Sequence, residues 1–247
     1  MEASQSVVNP WQDARTVVME RTGSTMDDAR ALALAGSPTG TVVVAGFQEK
    51  GRGRVPGRSW ISASWESLLA TVVVRSPGLG FPLRELPLRA GVAVALAVEA
   101  CAAIPVMIKW PNDLLCGGKK LAGVLCESFG SAALVGIGVN CGQASFPDAL
   151  GGSACSLLLA SGRHVLPLTL LSAVLARLKE VLADPGWSAE LRARLHGRGS
   201  EVSVDLLGTG KRVEGTLIDV DEECRLVLRA PDGETLRLAQ GELRTGP

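Results

Sequence analysis

VMIKWPNDLLCGGKKLAGVLCE, residues 106–127, contains two apolar runs separated by polar and glycine residues. The runs VMIKW and KLAGVLCE have the length and the aliphatic content of β-strands. Between them, Gly117-Gly118 supplies the backbone freedom of a tight turn, so LLCGGKKLAGVL is predicted to form a β-hairpin. This stretch therefore predicts a strand at VMIKW, followed by a hairpin of two neighbouring strands. The polar residues of KWPNDLL lie between the first strand and the hairpin.

Similar patterns continue on both sides of this stretch. Three more apolar runs are predicted to be strands: TVVVAG (41–46), LLATVVV (68–74) and AALVGIGV (132–139). Three segments have helical patterns of apolar residues: 26–35, 86–103 and 167–183. Strands that alternate with helices indicate a mixed α/β domain.

The pattern changes after His196-Gly197-Arg198-Gly199. Four short alternating segments follow: SEVSVDLL, KRVEGTLIDV, CRLVLRA and ETLRLAQ. With turn signals such as Pro231-Asp232-Gly233 between them, they predict a small all-β domain of about 50 residues, such as a barrel. The predicted domains are therefore 1–196 and 197–247.

The composition limits the classes of partner. The 247 residues are 47% hydrophobic, enough for one sizeable core. Lys plus Arg and Asp plus Glu number 25 each, so the chain lacks the overall positive field used in non-specific nucleic-acid binding. The cations are instead concentrated locally. One segment holds three of the six lysines: Lys109, Lys119 and Lys120.

Cysteine usage favours a cytoplasmic protein. The six cysteines form no C-x-x-C pair, so reduced, mostly buried thiols are expected. With two histidines in the chain, a His/Cys metal site is not expected. The N-terminal residues lack a secretory signal pattern. The longest apolar run, 90–108, contains Glu99 and Pro105, so we expect no membrane span.

GRGRVPGRSW, residues 51–60, concentrates three glycines and three arginines. Glycines let backbone N–H groups approach a ligand, and arginines bind phosphate or carboxylate in bidentate fashion. An anion site is one interpretation. A flexible surface loop with solvated arginines is the other.

Four further motifs each have a structural and a functional interpretation. In GSTMDDARALA, Ser24 or Thr25 with the aspartates three residues later is typical of a helix cap. KWPNDLL is either a turn or a site for a nucleotide and its magnesium ion. Lys120 is predicted to share a strand face with Ala122 and Val124, unless it is an edge lysine that reaches solvent. In GIGVN, the glycines indicate either close ligand approach or packing.

The order GST, FQEKGRGR, GRSW, KWPNDLL, GKKLAG and GIGVN, within residues 17–160, closely resembles the biotin protein ligase family. The resemblance implies a class II synthetase-like mixed sheet with packed helices and a C-terminal SH3-like barrel. It also implies activation of biotin by ATP and Mg²⁺ to biotinyl-5′-AMP, then transfer to a lysine of a biotin carboxyl carrier protein. Too few residues precede GST for a DNA-binding domain, so the short class without DNA binding is expected. Monomer and homodimer both stay open.

The resemblance also implies residue roles. Ser24, Thr25 and Gln48 would hydrogen-bond biotin, and the backbone of Gly136 would contact its ureido ring. The GRGR segment would wrap the biotin carboxyl and the adenylate phosphate, through Gly51, Arg52, Gly53 and Arg54. Lys120 would neutralise the carboxylate during adenylation.

On the nucleotide side, the resemblance assigns ATP and magnesium to Lys109, Asn112 and Asp113, and adenosine to Asn140. Trp60 and Arg58 would help the closed loop to pack. The chain departs from the family pattern at three places: Met26 for asparagine, the extra residue at Val55-Pro56, and Cys155 for threonine. A lipoate–protein ligase and a non-catalytic biotin-binding or adenylate-binding module stay as alternatives.

Overall fold

The computed structural model describes residues 6–55, 57, 59–61 and 63–245. Its larger part is built on a seven-stranded sheet in the order β1-β2-β3-β7-β6-β5-β4. The strands are β1 (Thr16–Thr22), β2 (Val42–Gln48), β3 (Ser67–Arg75), β4 (Met107–Lys109), β5 (Asp113–Cys116), β6 (Lys119–Phe129) and β7 (Ala132–Asn140). Strands β1 and β2 pair in parallel, and the other neighbours pair antiparallel. The predicted mixed sheet is therefore confirmed.

Helices cover both faces of this sheet unequally. They are α1 (Thr25–Leu34), α2 (Leu86–Ala102), α3 (Asp148–Gly151), α4 (Leu157–Ser161), α5 (Pro167–Ala183) and α6 (Trp187–Arg194), with a 3₁₀ turn at Leu83–Glu85. The long helices α2 and α5 pack on one face and bury the main core with it. Helix α1 lies on the opposite face over a smaller buried cluster. Part of that second face is therefore left for a site.

Helix packing follows from the side chains. Helix α2 is rich in alanine and buried along most of its length, so α5 can approach it closely. The leucines and valines on the core side of α5 recur at helical spacing and are buried, which explains why its predicted range and its observed range are the same.

The C-terminal part forms a five-stranded antiparallel sheet in the order β11-β10-β9-β8-β12. Its strands are β8 (Glu201–Asp205), β9 (Arg212–Val220), β10 (Leu226–Arg229), β11 (Thr235–Leu238) and β12 (Glu242–Thr245). The predicted all-β ending is confirmed, but its core is not separate. Val204, Leu217 and Leu243 belong to the same buried cluster as α2 and α5. The indole Nε1 of Trp110 also donates to the Cys224 carbonyl oxygen, at 3.0 Å.

The predicted strand face of Lys120 is wrong. Between β5 and β6 the register shifts, so that Leu115 pairs with Lys120 but Leu114 pairs with Ala122. Such a bulge breaks the alternation of side chains. Ala122 and Val124 enter the main core, whereas the Lys120 side chain lies over the opposite face beside Gly123.

Two other predictions concern the whole chain. No helix among the described residues is both long and apolar enough to cross a membrane. The cysteines are less buried than expected, since Cys141 and Cys155 are buried and the other four are half-buried. Burial raises the pKa of the Cys141 thiol to about 12 and that of Cys155 to about 11.

Candidate active site

Two cavities meet on the sheet face that α1 leaves open. The narrow cavity has a volume of about 70 Å³ and lies over the centre of the sheet. The wide cavity has a volume of about 790 Å³ and lies toward the ends of β4, β5 and β6. Five residues line both cavities: Gly53, Arg54, Trp60, Asn112 and Lys120. A ligand that extends from one cavity into the other must therefore pass these five residues.

A chain of polar groups lines the narrow cavity. The side-chain oxygen of Gln48 accepts two hydrogen bonds from Thr25, one from the backbone N–H and one from the hydroxyl, both at 2.8 Å. The Thr25 hydroxyl also lies 2.8 Å from the hydroxyl of Thr71. This network fixes the Gln48 amide, so that its orientation is set before any ligand arrives.

Ser24 has the backbone geometry of the residue that caps α1, but its side chain makes no capping hydrogen bond. Its hydroxyl is buried and has no hydrogen-bond partner among the described residues. The predicted capping role of this side chain is therefore wrong. A buried hydroxyl without a partner is costly, and a polar ligand in the adjoining cavity would satisfy it.

Glycines form the floor of the narrow cavity. A Cβ at Gly138 would lie 2.9–3.0 Å from the indole of Trp60, and a Cβ at Gly136 would lie 2.8 Å from the sulfur of Met26. Gly123 pairs with Gly138 on the adjacent strand, and a Cβ at Gly123 would lie 3.4 Å from the Trp60 ring. The glycines are therefore needed because the side chains of Trp60 and Met26 pack directly over them.

The Gly51–Trp60 segment is anchored at its base. The backbone N–H of Trp60 donates to the Gly51 carbonyl at 3.2 Å, and Arg52 forms an isolated bridge with Ser59. The guanidinium of Arg52 makes a bidentate contact with Asp27, at 2.8 and 3.1 Å. Hydrogen bonding to Asp27 raises the pKa of Arg52.

At the junction of the cavities, two cations are held by neighbouring groups. The ammonium of Lys120 lies 2.7 Å from the Asp113 carboxylate. Arg54 donates through Nε to the side-chain oxygen of Asn112 at 3.1 Å and through Nη2 to the Gly241 carbonyl at 2.9 Å. The C-terminal part of the chain therefore holds one end of a loop arginine.

Lys109 and Asn140 lie further along the wide cavity. Burial lowers the pKa of Lys109, while the nearby Asp113 carboxylate opposes that shift. Asn140 donates its amide to the carbonyl oxygen of Cys155 at 2.9 Å. Lys109 is thus a cation that loses its proton more easily than an exposed lysine does.

The predicted magnesium ligands are already engaged. The Asn112 side-chain oxygen accepts from Arg54, and Asp113 pairs with Lys120. Within the described residues, no cluster of three or more His, Cys, Asp or Glu side chains could hold a metal ion. Mg²⁺ is usually bound through one or two carboxylates together with substrate phosphates. Asp113 lines the wide cavity and fits the role of one such carboxylate.

Most of the predicted site residues come together. Six of the residues expected to bind biotin line the narrow cavity: Ser24, Thr25, Gln48, Arg52, Lys120 and Gly136. Six of those expected to bind the nucleotide or the adenylate line the wide cavity: Arg54, Trp60, Lys109, Asn112, Asp113 and Asn140. Gly51 lines neither cavity, and Arg58 lies outside the described residues.

Several lining residues were not predicted. Thr71 interrupts the apolar run of β3, and a hydroxyl in such a strand is a signal that could have identified it. Gln143 lines the wide cavity and donates to the Ser67 hydroxyl at 2.6 Å. Glu242 and Leu243 reach the same cavity from β12, and no local pattern links them to it.

Comparisons with known proteins agree on one family. A model of the biotin/lipoate A/B protein ligase family matches residues 18–144. Biotin–acetyl-CoA-carboxylase ligase of Mycobacterium tuberculosis is 36% identical over 238 residues, or 92% of this chain and 87% of that protein. The protein of the same name from Paracoccus denitrificans is 34% identical over 87% of this chain and 95% of its own length. The solved structure of Aquifex aeolicus biotin protein ligase with biotin and ATP has a TM-score of 0.82 and 28% identity, and covers 94% of this chain and 99% of that chain.

Proposed function

Because this chain belongs to the biotin/lipoate A/B protein ligase family, we propose that it activates biotin with ATP and transfers biotin to a lysine of a carboxylase carrier protein. One observation carries the proposal. The narrow cavity and the wide cavity meet at Lys120 and Arg54, so an acid in the first would meet a nucleotide in the second beside two cations. The proposed activity is that of a biotin–acetyl-CoA-carboxylase ligase.

The chemistry needs this juxtaposition of anion sites. In the first step, a carboxylate oxygen of biotin attacks the α-phosphorus of ATP, forming a mixed anhydride and releasing pyrophosphate. Both reactants are anions, so fixed positive charge at their meeting point lowers the barrier. In the second step, a lysine amine of the carrier attacks the anhydride carbonyl carbon, loses a proton and releases AMP.

Lys120 is the residue best placed for the first step. It lines both cavities, and its ammonium is held on the hairpin by Asp113 at 2.7 Å. A cation held in advance loses little entropy when the reactants arrive. We assign Arg54 to the phosphate of the adenylate, because it belongs to the glycine-rich segment and not to the sheet.

The polar end of the narrow cavity favours biotin over lipoate. Biotin carries a ureido ring with two N–H donors and one carbonyl acceptor, whereas the dithiolane ring of lipoate has none of these groups. The cavity offers the hydroxyls of Ser24, Thr25 and Thr71 and the amide of Gln48. A site with buried polar groups rejects a ligand that leaves them unpaired.

Magnesium would enter with the nucleotide. Asp113 would contribute one carboxylate oxygen as a ligand, and the phosphates of the nucleotide would supply further oxygen ligands. The ion would neutralise phosphate charge and so assist the departure of pyrophosphate. Lys109, with its lowered pKa, would contact phosphate in the same cavity.

The test is a release assay with purified protein. Biotin, ATP and magnesium should yield pyrophosphate, and addition of a biotin carboxyl carrier domain should yield biotinylated carrier and AMP. Lipoate in place of biotin should yield little of either product. Binding of biotin without pyrophosphate release would instead identify a non-catalytic binding module. Preferential turnover of lipoate would identify a lipoate–protein ligase.

A further inference from the structure

We propose that Asp27 is a positioning residue for the ligase reaction, acting through Arg52. In this proposal, Asp27 holds Arg52 against α1 and thereby fixes the base of the Gly51–Trp60 segment. Arg52 then contributes to biotin binding without neutralising the biotin carboxylate. The inference rests on the proposed function and assigns a residue, Asp27, that no motif argument placed in the site.

The contact between the two side chains is specific. Both carboxylate oxygens of Asp27 accept from the guanidinium of Arg52, at 2.8 and 3.1 Å. Bidentate pairs of this kind fix the orientation of the arginine as well as its position. Asp27 lies in the first turn of α1, two residues after Thr25, so the pair joins the loop to the helix that forms one wall of the narrow cavity.

The position of Arg52 argues against direct neutralisation of the carboxylate. The reacting carboxylate must lie where the two cavities meet, because the nucleotide occupies the wide one. Arg52 lines the narrow cavity but not the wide cavity. Within the described part of the chain, the cations that line both cavities are Arg54 and Lys120.

The pair affects the site through the loop. Arg52 forms a backbone bridge with Ser59, and Gly51 accepts the backbone hydrogen bond of Trp60. Holding Arg52 therefore also holds Trp60, whose indole covers Gly138 in the floor of the narrow cavity. Both partners of the pair are partly exposed, with 41% of the Arg52 side chain and 59% of the Asp27 side chain accessible. The effect of its loss should therefore be moderate.

The direction in which one substitution changes the KM for biotin distinguishes the two possible roles of Arg52. If Asp27 positions Arg52, Asp27→Asn should raise the KM for biotin about 3- to 5-fold, the range expected for an exposed ion pair, with kcat for pyrophosphate release unchanged. If Arg52 instead neutralises biotin, Asp27→Asn would free the guanidinium, and the KM for biotin would stay the same or fall. That result would overturn the proposal.

Two controls keep the result specific. Asp27→Glu preserves the charge and should keep the KM for biotin within about 2-fold of wild type. Glu49→Gln removes a carboxylate from another exposed ion pair, with Arg21 at 3.5 Å, and should leave the KM for biotin unchanged. An equal rise in both Asp27→Asn and Glu49→Gln would show a general charge effect and would also overturn the proposal.

The charge-exchanged protein, Asp27→Arg with Arg52→Asp, supplies an independent measurement. It should bind biotin more tightly than Arg52→Asp alone, because the ion pair is restored in reverse. Biotin binding by calorimetry and the Tm of each variant would be measured beside kinetics, so that misfolding is recognised. Wild-type protein that binds no biotin and releases no pyrophosphate would overturn the proposed function, and with it this inference. Active wild type with unchanged Asp27→Asn would overturn the inference alone.

Discussion

The narrow cavity and the wide cavity differ in how they are built. The narrow cavity is enclosed by central strands and the first turn of α1, with side chains that hydrogen-bond one another, such as Thr25 and Gln48. The wide cavity is bounded by chain segments far apart in sequence, including β12. A rigid sheet suits recognition of one small ring. A cavity bounded by loops suits a larger ligand that must enter, react and leave.

The largest expected effect is at the junction. Lys120→Ala should slow adenylate formation by about 100-fold or more, because a preorganised cation beside both reactants is lost. Single-turnover release of pyrophosphate measures this step. Lys119→Ala is the matched control, since Lys119 is the exposed neighbour on the same strand and should leave the rate unchanged. Adenylation at the wild-type rate in Lys120→Ala would mean that the two cavities do not meet at the reacting atoms.

Arg54→Gly should separate formation of the intermediate from its retention. The variant loses the hydrogen bonds to Asn112 and Gly241, so biotinyl-AMP should still form but escape about tenfold faster. Labelling of lysines on an unrelated bystander protein measures the escape. If bystander labelling stays at the wild-type level while adenylate forms normally, Arg54 does not retain the intermediate.

Gly138→Ala should disturb the narrow cavity more than the wide cavity. The new Cβ would lie 2.9–3.0 Å from the Trp60 indole, so the ring must shift from the floor. We expect the KM for biotin to rise about tenfold while the KM for ATP changes little. Gly152→Ala is the control, because a Cβ there meets nothing within 4 Å. An equal rise in both KM values would show that the cavities are not independent.

The smallest expected effect is a pH dependence of the KM for ATP, which depends on the wide cavity. Burial lowers the pKa of Lys109, and phosphate binding favours its charged form. As pH rises toward that lowered pKa, Lys109 loses its proton and the KM for ATP should increase. Lys109→Arg stays protonated throughout and should have a flatter profile. Identical profiles for the two proteins would remove Lys109 from the nucleotide side.

Local periodicity explains which elements of the fold could be predicted. Helix α5 was predicted over its observed range because its apolar residues repeat along one face and Pro167 marks its start. Strand β1 was not predicted, since it is an edge strand whose side chains are partly exposed along its length. Strand β12 is four residues long and contains two charged residues, so it has no strong strand pattern.

Prediction of the site had a similar limit. Ser24 and Gln48 could be predicted to lie in one cavity because both belong to short motifs that follow one another in a characteristic order along the chain. The orientation of Lys120 could not, because it depends on a bulge that only the pairing of β5 with β6 creates. The contribution of Glu242 could not either, since its approach to the wide cavity depends on packing between distant parts of the chain.

The hydrogen bond from Arg54 to Gly241 joins residues that are 187 positions apart. During synthesis from the N-terminus, the ribosome makes the glycine- and arginine-rich loop long before the carbonyl that anchors it. A contact with so large a sequence separation forms late in folding, because much of the intervening chain must be ordered first. The chain can therefore build its sheet and its narrow cavity while this arginine is still without its distant anchor. Retention of a reactive intermediate would be the last property that the folding protein acquires.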